Sequence, residues 1–320
     1  MDLNGTSLKY LYEQIVSISR GHISNFINRL LLKLYDPLTM RSFLCSIGDI
    51  MLEREKGMYN RQFIVICRLL DVERYRTTHD LKFPFQNKLS SATTDKMTDL
   101  NNRFYNLIES VDRNGYNVSS TLTVNNELFL LDGTHRTAMM LEKGIDVIRV
   151  KSMRRKCIVS SNCFCFLQKN LQTDDFRIIW DRFKQLNADL MEKGISFGLW
   201  IEENSFDSYE EVMSLLKPFV VFHKVLSVEN ADFCINGFNC NKGVYAMFLP
   251  NRTDYVIKKD GYYSNYIKEL RNYLVDYCLH NSIKPDFFYL TNNCLEGQTI
   301  YNSISTTAIT RSTNIDFIYG

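Results

Sequence analysis

No apolar run in this 320-residue chain approaches the roughly 18 positions that a membrane-spanning helix needs, so no such span is expected. The opening Met1-Asp2-Leu3-Asn4-Gly5-Thr6 has no basic stretch followed by an apolar core, and a secretory signal is not expected there. Charge of one sign is also scarce: 38 Lys and Arg against 36 Asp and Glu leave a net charge of +2. That excludes a global basic field for nucleic acid. The local cluster Lys151, Arg154, Arg155 and Lys156 reads as a solvated linker face, and nucleic acid is not an expected partner. The nine cysteines (Cys45, Cys67, Cys157, Cys163, Cys165, Cys234, Cys240, Cys278 and Cys294) contain no Cys-x-x-Cys pair and are odd in number. Reduced thiols in a cytoplasmic protein are expected. Cys163 and Cys165 lie two apart on an expected strand, but no nearby histidine completes a metal set, so they read as small buried residues.

What the chain does have is core-forming material: 45% hydrophobic and 13% aromatic residues, in a length that exceeds one typical domain. The expected class is α+β, in three parts. Residues 1–60 read as helices, with Leu8, Leu11, Ile15 and Ile18 on one face, then Ile23, Phe26, Ile27, Leu30, Leu31 and Leu34 on another. Arg29 and Lys33 would suit a membrane surface, but packing on the next domain is the commoner use of such a stripe. Residues 61–156 form a mixed sheet with helices. Residues 157–320 read as an α/β domain with a strand at Cys163–Leu167, a helix at Asp174–Met191 stopped by Gly194, and strands at Ser196–Ile201, Phe219–Leu226 and Val244–Leu249. Further helices are expected near Ser208–Leu216 and Tyr263–His280. The aromatic run Tyr262, Tyr263, Tyr266, Tyr273, Tyr277, Phe287, Phe288 and Tyr289 suits sugar stacking or plain packing equally well. His223 and His280 stand alone and read as structural. Ser303-Ile304-Ser305 and Asn314-Ile315-Asp316-Phe317 have the order of a nucleotidyltransferase Ser-rich loop and acidic strand, but Asn314 stands where a second carboxylate is needed to hold metals.

The most informative segment is 128–151. An apolar run, Leu128–Leu131, leads into Asp132-Gly133-Thr134-His135-Arg136-Thr137. A helix follows from Thr134 or His135 to a stop at Gly144, and a second strand comes next. Such a helix start aims unpaired N–H groups off the strand end, which is an anion site. Arg136 can fork onto phosphate oxygens, Thr134 can donate a hydroxyl, and His135 can donate to a phosphoryl group or relay a proton. Asp132 is either a loop cap or the holder of Mg2+ or of a substrate hydroxyl. Four polar residues at a helix start can also be a cap with nothing bound.

Order and spacing over residues 61–153 resemble the ParB/sulfiredoxin superfamily. Phe63–Cys67 matches its first strand and Thr94–Asn114 its helix ending in a Gly, here Gly115. Val118–Val124 matches the middle strand, Asn125-Asn126 a hairpin turn, and Glu127–Leu131 the strand delivering Asp-Gly-x-His-Arg. Sulfiredoxins place a reactive Cys where this chain has Thr134. The chromosome-partitioning ParB branch binds CTP with a second loop arginine and a following helix-turn-helix, neither of which is found. The free-serine kinases of this fold carry Asp-Gly-x-His-Arg and a Glu base shortly after the first strand, and Glu73 stands in a compatible place.

That resemblance implies a nucleotide-dependent kinase acting on a small hydroxyl-bearing or glycan-linked acceptor, in the setting of polysaccharide biosynthesis. Gly133, Thr134, His135, Arg136 and Thr137 would hold the phosphates of ATP (ADP or CTP being possible), with Mg2+ at Asp132. Glu73, Asp132 and His135 would be catalytic, and Arg76 would reach an anionic substrate or be solvated. Glu73 also reads as an exposed loop acid paired with Arg74 or Arg76. The alternative is a non-catalytic, ParB-like, nucleotide-gated module for DNA or protein.

Overall fold

The computed structural model describes residues 41–52, 60–89, 94–117, 120–125, 127–153, 171–202, 209–229, 233–235, 238–240, 242–258, 261–305 and 309–313. The helices expected before residue 40, the Arg154–Lys156 cluster, the strand at Cys163–Leu167 and the Asn314–Phe317 segment fall outside them. The class is α+β.

The first unit is built from β1 (Arg41–Ser46), α1 (Ile47–Met51), α2 (Asn60–Thr78), α3 (Pro84–Leu89), α4 (Thr94–Asn114), β2 (Leu122–Asn125), β3 (Leu130–Asp132), α5 (Thr134–Glu142) and β4 (Val147–Met153). Its sheet runs β1-β4-β2-β3, with β2 parallel to β4 and the other neighbours antiparallel. Two expectations are corrected here. Phe63–Cys67 lies inside α2 and is no strand, and Arg41–Ser46, placed in a helical segment by the sequence, is the strand that pairs with β4. The physical reason lies in α2's surroundings. Gln62, Phe63, Val65, Ile66, Cys67, Leu69 and Val72 are all buried, so the helix is covered on most sides and its sequence reads as a continuous apolar run. Such a run does not by itself separate strand from helix.

Elsewhere local signals hold. The α4 helix spans the expected residues, burying Phe104, Ile108 and Val111 at helical spacing against Val72, Tyr75, Phe83 and Met139. Gly115, Gly144 and Gly194, the expected stops, all have positive φ. The hairpin after β2 is organised by the Asn125 side chain, whose Oδ1 accepts from the N–H groups of Glu127 (2.9 Å) and Phe129 (2.8 Å).

The second unit contains α6 (Thr173–Glu192), β5 (Phe197–Glu202), α7 (Tyr209–Leu216), β6 (Val220–Val228), β7 (Phe233–Ile235), β8 (Phe238–Cys240) and β9 (Gly243–Pro250). It continues with β10 (Tyr255–Ile257), β11 (Tyr262–Ser264), α8 (Asn265–His280), β12 (Phe288–Leu290), α9 (Cys294–Ser305) and β13 (Ile309–Thr313). Its main sheet, β12-β5-β9-β6-β13, is antiparallel throughout, which differs from the alternating α/β winding expected. Residues of β5 alternate between two cores. Phe197, Leu199 and Ile201 join the large core, while Trp200 packs with Tyr245, Met247, Ile300 and Ile304 under α9. Both faces are therefore covered, and the strand reads as uniformly apolar. In the aromatic run, Tyr262, Tyr266, Phe287 and Phe288 are buried, so packing accounts for half of it.

The two units share one hydrophobic core, and a polar knot fastens them. Asp49 in α1 is buried. Its Oδ1 accepts from the Tyr255 hydroxyl at 2.5 Å and its Oδ2 from the Tyr262 hydroxyl at 2.5 Å, and the Cys294 N–H donates to both oxygens at 3.1 Å. Tyr262 Oη in turn accepts from the Ser46 N–H at 3.1 Å. Burial pushes the Asp49 carboxyl up from its ordinary value, and these donors pull it back.

Candidate functional site

The site is the turn from β3 into α5. Asp132 ends the strand with its side chain 77% exposed, and Gly133 follows at φ 100°, ψ 19°. Only glycine suits that position. A Cβ there would be left-handed and would also meet Leu122 Cδ2 at 2.5 Å. Gly133 caps the helix without a side chain, and its carbonyl accepts both the Thr137 N–H (2.8 Å) and the Thr137 hydroxyl (3.0 Å). Thr137 is thus a structural residue that closes the first turn, and Thr134 is buried beside it. Among the described residues, no acceptor meets the N–H groups of Thr134, His135 and Arg136. Three orphan donors and the positive end of the helix dipole are left for an anion.

Arg136 stands over this turn. Its Nη1 donates to Thr121 O at 2.6 Å and to Ser120 Oγ at 3.1 Å, while Nη2 reaches Asp132 Oδ2 at 3.3 Å. The first two bonds fix the Arg136 guanidinium, and Arg136 lines a cleft of about 520 Å3 together with Val111, Asn114, Tyr116, Asn117 and Ser120. That volume falls in the range of small-molecule sites. The Asp132 pair is long, exposed and weak.

Sequence reading missed Arg68. It lies in α2, mostly buried, close enough to His135 for its charge to help lower that ring's basicity. Its Nε is shielded from solvent and has no hydrogen-bond partner among the described residues. Burial first, and then the neighbouring Arg61 charge, lower its pKa to about 10, so it remains a cation at neutral pH. A buried guanidinium nitrogen without an acceptor is costly, and an arriving anion would supply one. The signal was an arginine embedded in the apolar stretch Phe63–Leu70, hidden because that stretch read as a strand.

His135 is corrected in the opposite direction. Its ring packs at 4.5 Å on Phe104, and Nε2 donates to Gln86 Oε1 at 2.5 Å. Gln86 is itself held by Asn101 Oδ1 at 2.9 Å, and its N–H donates to the buried Asp71 carboxylate at 2.7 Å. Burial, then the charge of Arg68, lower the imidazole to about 3. The ring is neutral at physiological pH and adds no positive charge to the turn. Because its folded pKa is depressed, the neutral ring's contribution to stability is complete above about pH 6.5 and is lost as pH falls toward about 3. In an NMR titration the His135 ring resonances should therefore stay fixed through the ordinary imidazole range, whereas a midpoint near ~6.5 would contradict the packing described.

Two further expected site residues lie away from the turn. Glu73 is in α2, five positions beyond Arg68 and so about 140° around the helix from it. Its carboxylate is gripped by Arg182 of α6, with Nη2 at 2.6 Å and Nε at 3.0 Å from Oε1. It is neither a loop acid nor a partner of Arg74 or Arg76. Arg76 forks onto Asp112, one bond being 2.7 Å, and its Nε donates to Glu142 at 2.9 Å, so both its edges are engaged by protein carboxylates. Those carboxylates hold its pKa above the ordinary arginine value. Neither residue joins Arg136.

For a metal, Asp132 has no companions: no group of three His, Cys, Asp or Glu side chains is assembled among the described residues. No helix among them is long and apolar enough to cross a membrane. No protein-family model matches this chain, and neither a curated protein nor a solved structure does.

Proposed function

We propose that this chain binds the phosphates of a nucleotide at the Gly133–Arg136 turn and uses that binding as a non-catalytic, nucleotide-gated module. The observation that carries the reading is the conjunction of three unpaired helix amides with the Arg136 fork and the unsatisfied Arg68 Nε. The adjacent cleft is large enough for a nucleoside. Resemblance of the Asp132–Arg136 loop to the ParB/sulfiredoxin superfamily supports the same ligand class, ATP or CTP. The magnesium that accompanies such nucleotides would be held by Asp132 together with the ligand's own phosphates, in keeping with how few protein ligands that ion takes in phosphate sites.

A switch is favoured over a kinase because Glu73, the residue suited by resemblance to act as base, is engaged by Arg182 on another face of its helix. Phosphoryl transfer to a small hydroxyl-bearing or glycan-linked acceptor is the second reading, and one observation favours it: the Asp132 carboxylate is exposed beside the amides, where it can accept an acceptor's hydroxyl proton. The side chains of Cys45, Cys67, Cys278 and Cys294 are buried, and the odd, unpatterned cysteine spacing of the sequence supports a cytoplasmic setting.

The test is equilibrium binding of ATP and CTP to the wild-type protein and to Glu73→Ala, followed by incubation with alcohols, amino acids and sugars. The switch reading predicts unchanged nucleotide affinity in Glu73→Ala and no phosphorylated product with either protein. Product formation that is abolished in Asp132→Asn would install the kinase reading instead. Absence of nucleotide binding to the wild-type protein would remove both.

A further inference from the structure

A second cleft, of about 830 Å3, lies at the junction of the two units and is remote in sequence from the Gly133 turn. Its walls come from the start of β1, the β10–β11 hairpin, the first turns of α8 and the segment leading into α9. Arg41, Lys258, Lys268 and Arg271 all line it, and the acid among its lining residues is Glu296.

That carboxylate offsets one of the four charges but forms no ion pair with them. Both Glu296 oxygens are taken by Asn292, through its N–H at 2.7 Å and its side-chain amide at 2.9 Å, with the Tyr289 hydroxyl adding a third donor at 3.1 Å. None of the four cations forms an ion pair with a described residue. The two arginines are instead pinned by neutral acceptors: Arg41 Nη1 donates to Ile257 O at 2.9 Å, and Arg271 Nη2 donates to Leu290 O at 2.6 Å and to Asn292 Oδ1 at 3.1 Å. Most of each fork's five donors remain available. Lys258 sits over the Tyr263 ring, 4.8 Å from its centroid, and Lys268 and Arg271 share one face of α8 at i, i+3 spacing.

Four cations against one carboxylate leave this concave lining with a net positive charge, and an anionic occupant relieves their mutual repulsion. Fixed guanidinium forks beside mobile ammonium groups match a ligand with several anionic oxygens, because the forks orient it and the lysines add charge. We infer that this cleft binds a small molecule carrying a diphosphate or an equivalent pair of phosphoryl groups, at a site distinct from the Gly133 turn. Its walls come from both units, so an occupant bridges them and stabilises the whole chain.

The probe is inorganic pyrophosphate, titrated calorimetrically into Arg136→Ala protein so that any contribution from the Gly133 turn is suppressed. The inference does not depend on nucleotide binding at that turn, since Arg136 is absent from this cleft. Pyrophosphate should bind with an affinity that falls steeply with added salt, and it should raise the thermal midpoint. In Arg136→Ala combined with Lys258→Ala and Lys268→Ala, affinity should drop at least about tenfold, as expected for losing two charge-assisted contacts. Both lysines are at the protein surface of the cleft, and an unchanged ligand-free midpoint verifies folding. Arg271→Lys, which keeps charge but loses the fork, gives an intermediate loss. Failure of pyrophosphate to bind Arg136→Ala protein, or equal affinity with and without the two lysines, would overturn the inference.

Discussion

Replacing Arg136 with alanine should weaken nucleotide binding by about 10- to 100-fold, the loss that follows from removing a charge-assisted fork worth roughly 1.5–3 kcal/mol. Arg136→Lys should recover only part of this, because an ammonium keeps the charge but cannot present two parallel donors. Equilibrium dialysis or calorimetry with ATP and CTP measures both. Arg136 also braces the segment before β2 through Thr121 O and Ser120 Oγ, so a thermal melt must accompany the binding curve. The informative outcome is loss of affinity in a variant that melts close to the wild-type temperature. Equal affinity in Arg136→Ala would exclude this residue from the phosphate site.

The second large effect is structural. Asp49→Ala should destabilise the protein by about 3–5 kcal/mol, because it removes the carboxylate that accepts from the buried hydroxyls of Tyr255 and Tyr262 and from the Cys294 N–H. Each buried hydrogen bond lost in this way costs about 1–3 kcal/mol, offset in part by relief of the carboxylate's own burial. Asp49→Asn should fall between, since its amide offers one oxygen where the carboxylate offered two. Urea denaturation reads the effect as a lower midpoint with an unchanged slope. A loss below about 1 kcal/mol would mean that the knot contributes no more than an ordinary hydrogen bond.

Much of the framework was legible because its signals are local. Helix α4 announced itself through Phe104, Ile108 and Val111, and each glycine expected to stop a helix sits at positive φ. The turn at Gly133 and the helix after it were readable from an apolar strand running into polar residues, and the structure builds both. What escaped depends on contacts between distant residues. Glu73 meets Arg182 across 109 positions and Asp49 meets Tyr262 across 213, and no local pattern encodes either. Helix α2 was misread because burial around most of its circumference erased the polar face that would have revealed its period, and Arg68 was lost with it. His135 illustrates a different limit. Its residue type suggested a proton donor, but the neighbours Phe104 and Gln86, which keep it neutral, come from elements that fold back from elsewhere in the chain.

The most direct measurement is the response of the backbone amide resonances of Thr134, His135 and Arg136 to ATP and CTP, followed by NMR on the full chain. Phosphates accepted at the start of α5 should move these three signals well downfield and saturably, with the Arg136 Nε signal moving alongside them, while amides of α8 stay in place. Saturable nucleotide binding that leaves all three amides unmoved would contradict the proposed site.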